Sequence, residues 1–305
     1  MNSMKIVSLL PSATEIVYAL GLDDDLVGVS CDCDYPAGAS TKPVVSHSAL
    51  VTADSSPADI DREVRASVSA SDPIYRLDRE LVKKLQPDLI LAQDLCRVCA
   101  VPSGHVTEAL ATIGCSSEVL SLDPHGLFDV LGDIGRVGRV AGAELRGDRL
   151  LRSLRGRIEM VREATASLEP VSVLALEWAD PPFTGGHWIP EMVSLAGGRE
   201  LLGVAGAPSR SCTWTEIAEA DPEVVVFMPC GFGLDEAVEQ ASALFEIPEF
   251  EALSAARNER VIAVDGSSYF SRPGPRLVDG LEILAWALHS ELFQAPPPGR
   301  ATRIA

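Results

Sequence analysis

One stretch limits the folds open to this chain more than any other: AELRGDRLLRSLRGRIEMVREATAS, residues 143–167. Leu145, Leu150, Leu151, Leu154, Ile158 and Val161 recur at spacings near three and four, and Arg, Glu and Asp fill most of the other positions. That period marks an amphipathic helix with one buried face. Uninterrupted, it would run roughly 35 Å at 1.5 Å per residue, longer than an ordinary globular helix. Apolar strand-like runs alternate with helical runs on both sides of it. The expected class is therefore α/β, with two lobes, each a mainly parallel sheet flanked by helices, joined by one long backbone helix. The expected divisions are an N-terminal lobe over 1–124, connecting helices over 125–168 with the backbone helix at 143–167, a C-terminal lobe over 169–290, and a disordered tail over 291–305. A ligand is expected in the cleft between the lobes.

The strand candidates are 5–10 (KIVSLL), 26–30 (LVGVS), 43–46, 89–92 (LILA), 118–122, 171–176 (VSVLAL), 224–228 (VVVFM) and 261–265 (VIAVD). Ser12-Ala13-Thr14-Glu15 matches a capping box and predicts a helix start after the first strand. Gly132, Gly135 and Gly138 sit at i,i+3 spacing in the helical run 127–141. Each costs about 1 kcal/mol relative to Ala, so close backbone packing is expected to compensate.

The formal net charge of −19 argues against nucleic acid, whose phosphates want a basic face. No run of eighteen apolar residues exists, so no membrane insertion is expected. The first residues, MNSMKIVSLLPSATEIV, do not read as a secretory signal, and the first cysteine is Cys31. The expected location is cytoplasmic, with the seven cysteines mostly reduced.

In mostly parallel sheets, ligands bind beyond the carboxyl ends of the strands. The unusual residues of this chain fall on the loops there. Cys31 and Cys33 follow LVGVS, Cys96 and Cys99 follow LILA, and Cys230 follows VVVFM. Cys96-x-x-Cys99 has the spacing of two thiols on one ion or in a reversible disulfide. Joined by Cys33 and Cys230, it would make a four-thiolate site for zinc or an iron–sulfur cluster, with His187 as substitute or axial ligand. Buried, inert thiols are the plainer account. Trp178, Phe183, Trp188, Phe232, Tyr269 and Phe270 would line a flat apolar site for a large planar ligand, or pack the lobe interface. Arg272 and Arg276 would pair with a ligand carboxylate or with an acid across the cleft, the plainer account of Arg276 being a cap on nearby carbonyls. Asp34 and Asp94 read as solvated loop carboxylates or as support for a metal ligand. No phosphate loop, H-E-x-x-H motif or G-x-S-x-G elbow is present, so no catalytic residues are assigned.

KIVSLLPSATEIVYALGL, LVGVSCDCDYP, LVKKLQPDLILAQDL, the helical spine, ADPEVVVFMPCGF and VIAVDGSSYFSRPGPRLVDGLEIL together resemble the helical-backbone metal-receptor superfamily. These are the substrate-binding proteins for cobalamin, iron-siderophores and haem that serve ABC importers. The likeness covers about residues 4–290 and is nearest the cobalamin-binding-like branch. DLCRVCAV, MPCGF and YFSRPGPR resemble a leaderless cytoplasmic subfamily. The resemblance implies a ligand between lobes, a stiff spine, surface acids that dock an importer, and no catalysis. Two functional readings follow. The first is a binding protein for a corrinoid (cobalamin-like) or other small metal-containing ligand, held by Trp178, His187, Trp188, Phe232, Tyr269 and Arg272, with an ABC importer as the partner that the resemblance implies. The second is a cytoplasmic iron–sulfur or zinc protein, or metal-cluster enzyme, using Cys33, Cys96, Cys99 and Cys230.

Overall fold

A computed structural model describes residues 4–49, 57–70, 74–94 and 103–304. Within it the chain forms two compact units, one of residues 1–124 and 131–151, the other of residues 125–130 and 152–305. The first unit holds β1 (Ile6–Ser8), α1 (Pro11–Ala19), β2 (Leu26–Ser30), β3 (Val44–Ser48), α2 (Pro57–Ala70), β4 (Tyr75–Leu77), α3 (Arg79–Leu85), β5 (Leu89–Ala92), α4 (Ser103–Ile113) and β6 (Glu118–Ser121). Its six strands run in the order β4-β3-β2-β1-β5-β6. Every neighbouring pair is parallel except β3 with β4. A core of Val7, Leu9, Val45, Val82, Ile90, Ala92, Val106 and Leu110 lies between sheet and helices. Strands buried on both faces read as continuous apolar runs, which is why LILA and VVVF are recognisable.

α5 (Leu127–Val140) and α6 (Glu144–Thr165) follow. Residues 144–151 of α6 count with the first unit and 152–165 with the second. Leu154, Ile158 and Val161 are buried, whereas Leu145 is 78% exposed. Ala143, Gly147 and Thr165 take up the buried stripe where Leu145 leaves it. Two of the three α5 glycines meet their expectation of close packing. A Cβ on Gly138 would lie 3.5 Å from the Gly147 Cα, and one on Gly135 would lie 3.3 Å from a Leu151 methyl, while Gly132 faces open space.

The second unit holds β7 (Val171–Ala179), β8 (Pro182–Thr184), α7 (Ile189–Leu195), β9 (Gly198–Glu200), α8 (Trp214–Ala220), β10 (Val224–Phe227), α9 (Leu234–Ala243), α10 (Pro248–Glu251), α11 (Ser254–Arg257), β11 (Val261–Val264), α12 (Gly266–Tyr269), α13 (Leu277–Leu288) and β12 (Ala301–Ile304). The order is β12-β11-β10-β7-β8, with β9 also on β7. β7, β10 and β11 are mutually parallel, so their carboxyl ends share one edge. Leu174, Leu176, Val225, Phe227 and Phe250 form the centre of the core on one face. The fold is thus α/β with two mixed, mainly parallel sheets flanked by helices.

Three expectations are corrected. The capping box is not formed: α1 starts at Pro11 with Leu10 as its N-cap and no side-chain cap. Proline at the first helical position supplies the start by itself, and Ser12 and Glu15 lie buried at 2% and 3% exposure. The tail is ordered, because β12 pairs antiparallel with β11, with Ile304 opposite Val261. Lastly, the connecting segment 125–168 is not a body of its own, since it is divided between the two units. Among the described residues no helix is long and apolar enough to cross a membrane.

Candidate functional site

The carboxyl edge of β7, β10 and β11 gathers the side chains of interest in the second unit. β7 ends in Glu177 and Trp178, and the loop after β10 runs beside it, tied by Cys230 N–H to the Glu177 carbonyl at 3.2 Å. That places Phe232 against Trp178, ring centroids 5.6 Å apart and planes tilted by 45°. Phe232 O in turn accepts Ser267 N–H at 3.0 Å. The Ser267 hydroxyl accepts from Arg272 Nη2 at 3.3 Å. Three loops are therefore stitched side by side, and Trp178, Phe232 and Arg272 lie along them.

Tyr269, at the end of α12, has guanidiniums over its ring, Arg276 at 5.6 Å and Arg300 at 5.0 Å from the centroid. Such placements exploit the negative face of the ring. Burial pushes the Tyr269 hydroxyl above its usual range, against the two arginines. Arg300 comes from the segment expected to be disordered. Sequence reasoning missed it for that reason.

His187 sits in a loop held by two carboxylates. Glu177 accepts Gly186 N–H at 3.1 Å and the Ser209 hydroxyl. Glu200 accepts N–H groups of Ala175, Leu202 and Gly203 at 2.9, 3.2 and 3.1 Å. Burial raises both carboxyls, that of Glu200 to about 7. The backbone approaches closely here: a Cβ on Gly186 would lie 2.2 Å from Ser209 N. His187 itself has φ +50°, a left-handed conformation uncommon for residues other than glycine. Its N–H donates to Ala207 O at 2.6 Å, and its carbonyl accepts from Gly206 at 2.9 Å. Its Nδ1 is buried with no hydrogen-bond partner. The ring lies 6.1 Å from that of exposed His125 and 5.6 Å from that of Trp188. Burial, then His125, pushes the His187 imidazole below its usual range. His125 carried no signal in the sequence beyond its place after a strand.

Trp188 differs from its expected lining role. It is 6% exposed, and its indole N–H donates to Phe270 O at 2.8 Å. As the residue before α7 it anchors that helix to the loop after α12. Phe270 is buried as well, at 2%. Of the six expected ligand residues, Trp178, His187, Phe232, Tyr269 and Arg272 are part-exposed and Trp188 is buried.

The four cysteines fare otherwise. Cys96 and Cys99 lie outside the described residues. Cys33 is 3% exposed and accepts the Thr14 hydroxyl at 3.1 Å, as a structural thiol does. Cys33 belongs to the first unit and the exposed Cys230 to the second. Among the described residues no group of three or more His, Cys, Asp or Glu side chains is placed to hold a metal ion. The zinc or iron–sulfur reading thus draws no support from them. Asp94 is exposed, and burial, which would raise its carboxyl, is outweighed by hydrogen bonds from Ser103 and Ser121 that hold it low.

Comparison with known proteins accords with this geometry. Residues 6–267 match the family described as periplasmic binding protein. A Bacillus subtilis protein described as an uncharacterised ABC transporter substrate-binding lipoprotein, YvrC, is 26% identical over 296 residues, 95% of this chain and 81% of its own. The vitamin B12-binding protein of Vibrio cholerae is 25% identical over 282 residues, 91% of this chain and 86% of its own. Among solved structures, the periplasmic vitamin B12-binding protein BtuF of Vibrio cholerae matches with TM-score 0.69 and 23% identity, over 94% of this chain and 96% of that one. The periplasmic haem-binding protein RhuT of Roseiflexus sp. RS-1 matches with TM-score 0.71 and 24% identity, over 95% and 99%. Likenesses at this identity speak for the fold. The relatives are solute-binding proteins rather than enzymes. The expected cytoplasmic location is corrected by them, because they are described as a lipoprotein and as periplasmic proteins. With the match extending through nearly all of both sheets, the chain belongs to the periplasmic binding protein family.

Proposed function

We propose that this chain is the extracytoplasmic substrate-binding component of an ABC importer, and that its cargo is a corrinoid of the cobalamin type. The observation that carries the cargo assignment is the part-exposed Trp178–Phe232 pair at the carboxyl edge of the second unit. Two aromatic rings there offer a broad apolar surface for one face of a macrocycle. Arg272, beside Phe232, and the arginine-flanked Tyr269 supply polar contacts for its carboxamide and phosphate periphery. His187, part-exposed in the loop before α7, supplies a nitrogen donor for the cargo's metal in this reading. The vitamin B12-binding relatives, aligned over nine-tenths of the chain, support the same reading. The relatives' placement outside the cytoplasm supports the location.

Calorimetric titration of the full chain with cyanocobalamin, and separately with haemin, tests the proposal. One cobalamin per chain with a dissociation constant below about 1 μM, near −8 kcal/mol, is expected. Haemin binding without cobalamin binding would move the cargo to the porphyrins, and binding of neither would overturn the reading.

A further inference from the structure

Beyond a donor to a macrocycle's metal, His187 stands paired with a second imidazole, that of His125. His187 bears two separate costs. A non-glycine residue at φ +50° is strained, and a buried ring nitrogen without a partner forfeits a hydrogen bond. A buried polar atom left in this state points to an ion or solvent partner. The nearest second imidazole is that of His125, 6.1 Å away between ring centroids and exposed at the entrance to α5. With metal–nitrogen bonds near 2.0–2.1 Å, two imidazoles sharing one ion stand about 4.5–6.3 Å apart between centroids, depending on the angle at the metal. The observed spacing lies inside that range before any side chain rotates.

The surroundings favour a cation. Asp129 accepts the backbone N–H of His125 and of Gly126, each at 3.0 Å. Glu191 accepts Leu127 N–H at 2.6 Å. Glu177, below the His187 loop, accepts Gly186 N–H. Three carboxyl groups thus lie near the pair, and among the described residues no lysine or arginine bonds to any of them.

We propose that His125 and His187 form a two-imidazole clamp for a borderline divalent transition-metal ion, of the nickel, copper or zinc class, whose remaining positions are filled by water or by a small chelator. Imidazole suits these metals over magnesium or calcium. The site goes beyond the corrinoid reading, because a bare ion needs no macrocycle.

Nickel chloride titrated calorimetrically into the full chain, with copper(II) followed by electron paramagnetic resonance, tests it. The variants are His125→Ala, at an exposed position, and His187→Asn, since asparagine tolerates a left-handed backbone. Circular dichroism confirms that each is folded. One ion per chain is expected, with hyperfine structure from two nitrogens and at least tenfold weaker binding in either variant. Unchanged affinity in both, signals without nitrogen coupling, or only the weak, unsaturable uptake of an acidic surface would overturn the clamp. Nickel binding without cobalamin binding would remove the cargo assignment and keep the clamp. Cobalamin binding without nickel binding would do the reverse.

Discussion

The carboxyl edges of the two sheets treat their unusual residues in opposite ways. In the first unit the thiols and Asp32 have partners close by, although Ser30, Ser46 and Gln93 keep buried polar atoms without one. Cys33 takes the Thr14 hydroxyl, Cys31 Sγ accepts Ser48 N–H at 3.3 Å, and Asp32 accepts the Tyr75 hydroxyl at 2.6 Å. Burial pushes the Cys31 thiol up, away from the thiolate that metals require. In the second unit costs are left standing. His187 keeps a left-handed backbone and an orphaned nitrogen, Glu177 and Glu200 are part-buried carboxyls whose proton affinity desolvation raises, and Trp178 and Phe232 remain part-exposed. Native structures retain such costs where a ligand repays them, which supports the site proposed on the second edge.

Removing the indole that supports this edge gives the largest expected effect. Trp188→Ala should destabilise the chain by about 3–5 kcal/mol, because it deletes a buried aromatic and orphans Phe270 O. Chemical denaturation measures it. A loss under about 1 kcal/mol would mean that Trp188 faces solvent or ligand after all.

Next comes the pH dependence of the second unit. The Glu200 carboxyl is raised by burial to about 7 from an ordinary 4.5. The folded chain therefore holds a proton that the unfolded chain has released between those values. The associated stability is fully present below pH 4.5 and is lost as pH rises through 7, by at most about 3 kcal/mol. Glu177 is shifted in the same direction, also by burial. Glu200→Gln should flatten the stability profile between about pH 4.5 and 7. An unaltered slope in that variant would assign the dependence elsewhere. Asp94 of the first unit is held low rather than raised, so it contributes no loss over that window.

Smallest is the change at the first edge. Cys33→Ala removes one hydrogen bond from Thr14 and should cost about 1 kcal/mol, read from the same denaturation curves. Its metal content should equal that of the parent chain, and a fall in bound metal would revive the thiolate reading.

What the sequence disclosed follows from physical periodicity. β5, β10 and β11 are short fully buried strands, so their apolar runs stand out. α6 spans twenty-two residues, long enough for its stripe to be unmistakable. β8 and β9 have three residues each, too few to show a period, and β12 lies beyond a proline-rich run that suggested disorder. Trp178 and Trp188 follow the same strand, and only the partner of the indole N–H separates a lining ring from a buried one. The His125–His187 approach joins residues sixty-two positions apart, a proximity that spacing along a chain does not encode.

The central claim, that ligand recognition resides on the aromatic edge of the second unit and not on the thiols, is tested most directly by titrating cyanocobalamin into the parent chain, Trp178→Ala and Cys33→Ala side by side. The account predicts a dissociation constant raised at least tenfold by Trp178→Ala, about 1.4 kcal/mol, and left within twofold by Cys33→Ala. Equal affinity in the parent and Trp178→Ala, with binding lost in Cys33→Ala, would contradict it.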